Sequence, residues 1–239
     1  MKLSAKMEAF DSFWEGPDDI EKGYNTFYKF YRANYLKYLP ADKNAKILVI
    51  SCGPGYFLNL LRIEGYGNGF GIDSDAEKIA FAKKKNFDCS REDVFEFLGN
   101  HDNKFDVIVA EQEINHLTLD EINSFLLICK QRLTDKGTLI LHSLNGANPI
   151  TGSESLAQNI DHFNTFTEYS LKQILNYSGF EYPKIFPLNL YVFYNNPLNY
   201  AAIAVTLFTN IIFKIFFKLY GKSNALFTKK IGAVCHNSK

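Results

Sequence analysis

Lys46-Ile47-Leu48-Val49-Ile50-Ser51-Cys52-Gly53-Pro54-Gly55-Tyr56-Phe57-Leu58, followed eighteen residues after Gly55 by Asp73 in Gly71-Ile72-Asp73, is the stretch that decides the fold. A short β-branched run breaks at a glycine-rich turn and re-enters a helical pattern through Phe57, Leu58, Leu60 and Leu61. A second short run ends in a carboxylate. In an α/β sheet this arrangement builds a nucleoside site. The glycines let backbone approach a ligand at a helix N-terminus, and the acid at the end of the next strand accepts the ribose hydroxyls.

A dinucleotide site would need a third glycine, and Leu58 stands where it should fall. The turn instead resembles motif I of the class I S-adenosylmethionine-dependent methyltransferases, written D-x-G-C-G-x-G. The resemblance continues along the chain. Asp73, followed by Ser74, matches the ribose-binding acid, and Asp93-Val94 matches the acidic position used on the adenine. Lys104 to Ala110 matches the fourth strand, and Leu133 to Leu141 matches the "L-x-P-G-G-x-L" run that opens the fifth. The resemblance implies S-adenosylmethionine as cofactor and S-adenosylhomocysteine as product. It assigns Cys52, Gly53, Gly55, Asp73, Ser74, Asp93, Val94 and Glu111 to cofactor binding. Two positions depart from the pattern: Val49 replaces the motif acid, which Glu111 could replace in function, and Ser51 replaces the first glycine.

The 239 residues suit one α/β domain with appended ends. Twenty-six basic residues balance twenty-six acidic ones, so the chain lacks the broad positive field of a nucleic-acid binder. Cys52, Cys89, Cys129 and Cys235 are scattered and form no metal spacing. No metal is expected. With no charged-then-apolar leader at the N-terminus, the expected location is the cytoplasm, with the inner face of the membrane open as an alternative.

Three segments follow. Residues 1–44 form a helical prefix in which Tyr24, Phe27, Tyr28, Tyr31 and Tyr35 recur at three- and four-residue steps until Pro40. These tyrosines, or Trp14, either wall a substrate pocket or pack the prefix onto the sheet. Residues 45–196 alternate strands (46–51, 68–72, 86–89, 105–110, 137–143, 179–186) with helices (55–64, 75–84, 92–98, 119–133, 167–178). Tyr191–Tyr194 is expected to be the last, antiparallel strand. The fold class is therefore α/β: a doubly wound, mostly parallel seven-stranded sheet with a helical prefix and a C-terminal apolar helix. Residues 197–239 form that amphipathic tail. Thr206, Asn210, Lys214, Lys218 and Lys222 fall every fourth residue on an otherwise apolar helix. Such a helix either lies in a membrane interface or packs on the catalytic domain or a second subunit, packing being the commoner fate of apolar faces.

The chemistry is expected past the strand ends. Glu111 to Thr118 resembles the "x-I-E-H-L" run of many class I enzymes, with Asn115 in the Glu position and His116 as a candidate base. Asn145-Gly-Ala-Asn-Pro, His162 to Thr167, and Ser170 to Phe180 resemble a narrower branch, methyltransferases of bacterial surface-polysaccharide (capsule, O-antigen) biosynthesis. That branch points to His162 as the general base and Asn145 as an acceptor contact. Asp161 and Phe163 replace the branch's Thr and Glu on either side of the histidine.

The expected activity is methyl transfer to a small polar building block of a surface polysaccharide, at a hydroxyl or at the amine of a phosphorylated headgroup such as ethanolamine phosphate. A hydroxyl needs a base. An amine needs a phosphate clamp, for which Arg32 and Lys29 are candidates, and an aromatic surface for methylammonium, for which Tyr24, Tyr28 and Tyr31 are candidates. A non-catalytic module docking through its C-terminal helix is the alternative. A peripheral membrane contact and a homodimer are both compatible with the tail.

Overall fold

The computed structural model describes residues 17–100, 102–110, 113–157, 160–189 and 198–237. Trp14, Glu111 and the expected strand at Tyr191–Tyr194 lie outside the described residues. In chain order the elements are α1 (Pro17–Asn34), β1 (Ile47–Ile50), α2 (Tyr56–Ile63), β2 (Gly69–Asp73), α3 (Ala76–Lys84) and β3 (Cys89–Arg91). These are followed by α4 (Val94–Asn100), β4 (Phe105–Ala110), α5 (Leu119–Arg132), β5 (Leu133–Leu144), α6 (Gly152–Ala157) and α7 (Glu168–Tyr177). The last elements are β6 (Glu181–Pro187), α8 (Leu198–Leu219) and β7 (Lys230–His236).

The seven strands form one sheet in the order β3-β2-β1-β4-β5-β7-β6. The first five are parallel, and β7 runs antiparallel between β5 and β6. Helices cover both faces, so β1 is buried at all four residues and reads as an unbroken apolar run. Ile47 and Val49 join the layer beneath α1, α2 and α3, whereas Leu48 and Ile50 join the layer beneath α4, α5 and α7. Val49 is fully buried in the first of these layers. A carboxylate there would need a buried partner, and valine avoids that cost.

The seventh strand is Lys230–His236, inside the segment read from sequence as tail, so the tail is not a separate appendage. Leu144 pairs with Lys230 and Pro187 with Ile231. The chain therefore leaves β6 and re-enters at β7 on the edge of the sheet where the parallel strands end. Helix α8 is carried on this excursion, and none of the window Tyr200–Leu219 is buried. Among the described residues α8 meets the catalytic domain along one side only, where Ile203, Asn210, Phe213 and Phe217 are half-buried. Phe213 and Phe217 meet the ring of Phe227 at 6.1 and 4.6 Å.

Candidate active site

The carboxyl edge of the sheet collects the motif residues. After β1, Ser51, Gly53 and Gly55 all take positive φ (55°, 55° and 92°), which turns the chain tightly into α2. A Cβ at Gly55 would lie 2.6 Å from the Phe87 ring, so the turn needs glycine there for space as well as for φ. A Cβ on Gly53 would meet nothing within 4 Å. The turn thus faces open space with bare backbone, as a ligand cradle does. Ser51 holds the left-handed conformation that the missing motif glycine would adopt freely.

Asp73 closes the cradle from β2. Its Oδ2 accepts the Gly53 amide at 2.8 Å and its Oδ1 the Asp75 amide at 2.8 Å. Burial pushes its carboxyl above the ordinary value against these two bonds, which pull the other way. Next to it, the Glu92 amide donates to the Asp73 carbonyl (3.1 Å). Asp93 Oδ1 accepts from Phe95 and Glu96 and so caps α4, while Val94 is buried behind it. Ser74 is exposed, its carbonyl accepting from Arg91, and Cys52 is a buried filler of the turn. The bare turn plus a carboxylate at the next strand end fits the adenosyl part of S-adenosylmethionine, with Gly53, Gly55 and Asp73 as the residues that would hold it.

The prefix does not behave as one wall. Tyr24 caps the glycine turn by donating to the Pro54 carbonyl at 2.7 Å, and burial with Glu21 nearby pushes its phenol up to about 12. Tyr28 instead donates to Glu64 (3.0 Å), and Arg32 pairs with the same carboxylate at 3.3 Å. Glu64 follows the far end of α2, roughly 12 Å along the helix from the turn. Tyr31 is 3% exposed and packs edge-on to Phe57. The expected acceptor contacts at Tyr28, Tyr31 and Arg32 are therefore structural: they fasten α1 to α2. The helix needs one broad aromatic face to cover α2, which is why its tyrosines recur at helical spacing.

Asn145 is also structural. Fully buried, it donates to the carbonyls of Leu226 and Thr228 and accepts from Ala147, locking the end of β5 to the loop that leads into β7. The corresponding polar hub of the site is Asn115, fully buried after β4. It donates to the Asn164 carbonyl at 2.6 Å, accepts from the Leu144 amide, and its own carbonyl accepts from Phe163. One side chain thereby ties the exits of β4 and β5 to the loop at 160–166. Its place in the "x-I-E-H-L" run was the only trace of this role.

That hub brings the two candidate bases together. The rings of His116 and His162 lie 4.7 Å apart, edge to face. His116 Nδ1 is 3.2 Å from Asp161 Oδ2, and His162 Nδ1 is 2.8 Å from the Ser155 carbonyl. Carboxylate and carbonyl both accept, so each Nδ1 donates, and in the neutral ring the lone pair then lies on Nε2. Ligand atoms of His116, Asp161 and His162 lie within 4.8 Å of one another, a set whose chemistry also suits a divalent transition metal.

Elsewhere the sheet buries a histidine the motifs did not mark. His142 on β5 is 3% exposed, with Nδ1 2.6 Å from the Tyr35 hydroxyl and Nε2 without a partner among the described residues. Burial, then Lys230, holds it well below its ordinary value. It belongs to the core beneath α1.

A methyltransferase domain model matches residues 24–184, and the chain belongs to that family. It is an S-adenosylmethionine-dependent methyltransferase. A search of curated proteins returns no significant match. Among solved structures, an S-adenosylmethionine-dependent methyltransferase from Archaeoglobus fulgidus superposes with a TM-score of 0.65 at 21% identity, over 91% of this chain and 97% of that one. The plantazolicin methyltransferase BpumL, bound to S-adenosylhomocysteine, gives 0.56 at 18% identity, over 96% and 93%. A Haemonchus contortus phosphoethanolamine N-methyltransferase, bound to phosphomonomethylethanolamine and S-adenosylhomocysteine, gives 0.63 at 13% identity, over 98% of this chain and 61% of that one.

Proposed function

We propose that this enzyme methylates a hydroxyl of a small polar acceptor, a sugar building block of a bacterial surface polysaccharide. The observation that carries the reading is the Asp161–His116 pair at the carboxyl edge, beside His162. S-adenosylmethionine supplies an electrophilic methyl group on a sulfonium. A hydroxyl attacks it well only if its proton leaves, and a carboxylate-oriented imidazole is built to take that proton. His116 accepts the proton at Nε2 while Asp161 holds Nδ1–H and steadies the charge that develops on the ring. His162, fixed by the Ser155 carbonyl, presents a second Nε2 alongside to orient the acceptor. Tyr24 and Asn115 hold the cradle and the base in fixed relation, which supplies the alignment that in-line displacement needs.

The amine acceptor is disfavoured. It would need a phosphate clamp, but of the two candidates on α1 Arg32 is committed to Glu64 far along α2, with Tyr28 beside it, and Lys29 is exposed. The resemblance to the polysaccharide branch supports a sugar as the hydroxyl's carrier. Incubation with S-adenosylmethionine and a panel of sugar nucleotides and phosphorylated amines, read by mass spectrometry for one added methyl, tests this. His116→Gln should lower kcat by about 10²–10⁴ with KM for the cofactor unchanged. Methylation of a phosphorylated amine at a rate indifferent to His116→Gln would overturn it.

A further inference from the structure

Among the described residues, nothing covers the outward side of helix α8. It is 22 residues long, about 33 Å, and its stretch Tyr200–Leu219 has a mean hydropathy of 1.8. Its two sides differ. Ile203, Asn210, Phe213 and Phe217 are half-buried toward the domain. Val205, Phe208, Ile211, Ile215, Phe216 and Leu219 point away, each more than half exposed. An apolar strip of this length on a soluble surface needs an occupant.

The charge pattern says which. From Tyr182 onward the sequence carries seven lysines and no Asp or Glu, although the chain as a whole is neutral. Lys214 and Lys218 flank the outward strip on α8, and Lys222 follows just beyond it. In a two-fold contact with a second copy these lysines would approach one another with no carboxylate in the segment to face them. A surface of anionic headgroups over hydrocarbon satisfies both the strip and its lysine border.

The topology says how. Ten residues join Pro187 to α8 and ten join α8 to Lys230, and both strands sit side by side in one sheet. The second connection is tied to the domain: Tyr169 donates to Ser223, the Ala225 amide to Glu168, and Asn145 to Leu226. A spanning α8 would set its N-terminal end about 33 Å from the sheet edge, so the ten residues joining it to Pro187, with Asn189, Asn195 and Asn196 among them, would have to cross the hydrocarbon, where polar groups find no partners. We infer that α8 lies in the plane of an anionic bilayer surface, held there by its apolar strip and by Lys214, Lys218 and Lys222. Because the excursion leaves from the carboxyl edge, the side of the sheet bearing Asp73 and His116 then faces the headgroups.

Flotation of the full chain with vesicles of phosphatidylcholine, with and without phosphatidylglycerol, tests the inference without reference to methyl transfer. Binding should require phosphatidylglycerol and weaken as salt rises. Replacing all three lysines by glutamine should weaken it roughly a hundredfold, from about fivefold per lysine at an anionic surface. Phe208→Glu with Ile215→Glu should abolish it at unchanged thermal stability, since neither side chain is buried. Full-length protein that ignores both vesicles, or binds neutral ones equally well, overturns it. A dimer in sedimentation that the Phe208→Glu, Ile215→Glu pair dissolves, in protein that does not float, overturns it in favour of a second copy.

Discussion

Replacing Asp73 by asparagine separates the two tasks assigned to that side chain. The carboxylate accepts two backbone amides, from Gly53 and Asp75, each at 2.8 Å, and is left to accept ribose hydroxyls with its remaining lone pairs. Asparagine keeps the shape but turns one oxygen into a donor. Whichever way it lies, one of the two amides then faces an NH₂ and loses its acceptor, at about 1–3 kcal/mol. In a chain of this size that lowers Tm by about 2–12 °C. Loss of the charge-assisted bonds to ribose costs a further ~1.5–3 kcal/mol, raising Kd for S-adenosylhomocysteine about 10–150-fold. Calorimetry with S-adenosylhomocysteine and its 2′- and 3′-deoxyribose analogues isolates the second term. Wild type should discriminate against both analogues, and Asp73→Asn should not. Equal discrimination by the two proteins would refute the ribose assignment, whatever happens to Tm. The pH arm has a definite sign. Only the ionised carboxyl accepts both hydroxyls, and burial raises its pKa, so affinity should fall on acidification earlier than for an exposed aspartate. For folding alone the same shift works the other way: the folded chain binds this proton more tightly, so the group favours folding at low pH and opposes it above its folded pKa.

Ser51→Gly should stabilise the protein by about 0.5–1 kcal/mol, the relief of a left-handed serine less the entropy glycine adds to the unfolded chain; a drop in Tm in differential scanning calorimetry would mean that the hydroxyl, not the backbone, sets this turn. His142, held neutral by burial, should make stability fall as pH drops below its ordinary value of 6.5, by about 1.4 kcal/mol per pH unit until its depressed folded pKa is reached. Urea titrations of His142→Gln should lack that slope, and an identical slope would assign it to other groups. Chelator treatment should leave the rate unchanged if His116 works as a base; loss of activity restored by zinc or manganese would make His116, Asp161 and His162 metal ligands instead.

The sequence announced what local pattern can announce. The β1 run, the glycine turn and the acid closing β2 lie within 28 residues of one another and need no distant partner to be read. Alternation of strands and helices gave the doubly wound, mostly parallel sheet, while the order of its strands came only from their pairing. The misplaced seventh strand shows the limit: Lys230–His236 is a modest apolar run behind a far stronger apolar helix, and only its pairing with β5 and β6, distant in sequence, makes it a strand. The aromatic face of α1 looked like a pocket because tyrosine hydroxyls suggest ligands; here they serve Pro54 and Glu64. Asp161 reaches His116 across 45 positions and Tyr35 reaches His142 across 107, and no spacing rule connects such pairs. Asp161 was visible only as a departure from the branch pattern, and that departure is what supplies the partner of His116.

The position of β7 also orders events on the ribosome. β5 and β6 are synthesised first, and each keeps an unpaired edge until the strand between them arrives, with forty-two residues of chain separating Pro187 from Lys230. At ordinary elongation rates that interval lasts about 2–8 s. Two open strand edges and a newly emerged apolar helix coexist during it, the combination most prone to wrong pairing. The nascent chain thus depends on whatever shields α8 in those seconds, and a ribosome stalled before Lys230 would release a polypeptide with every motif residue present and no closed sheet to hold them.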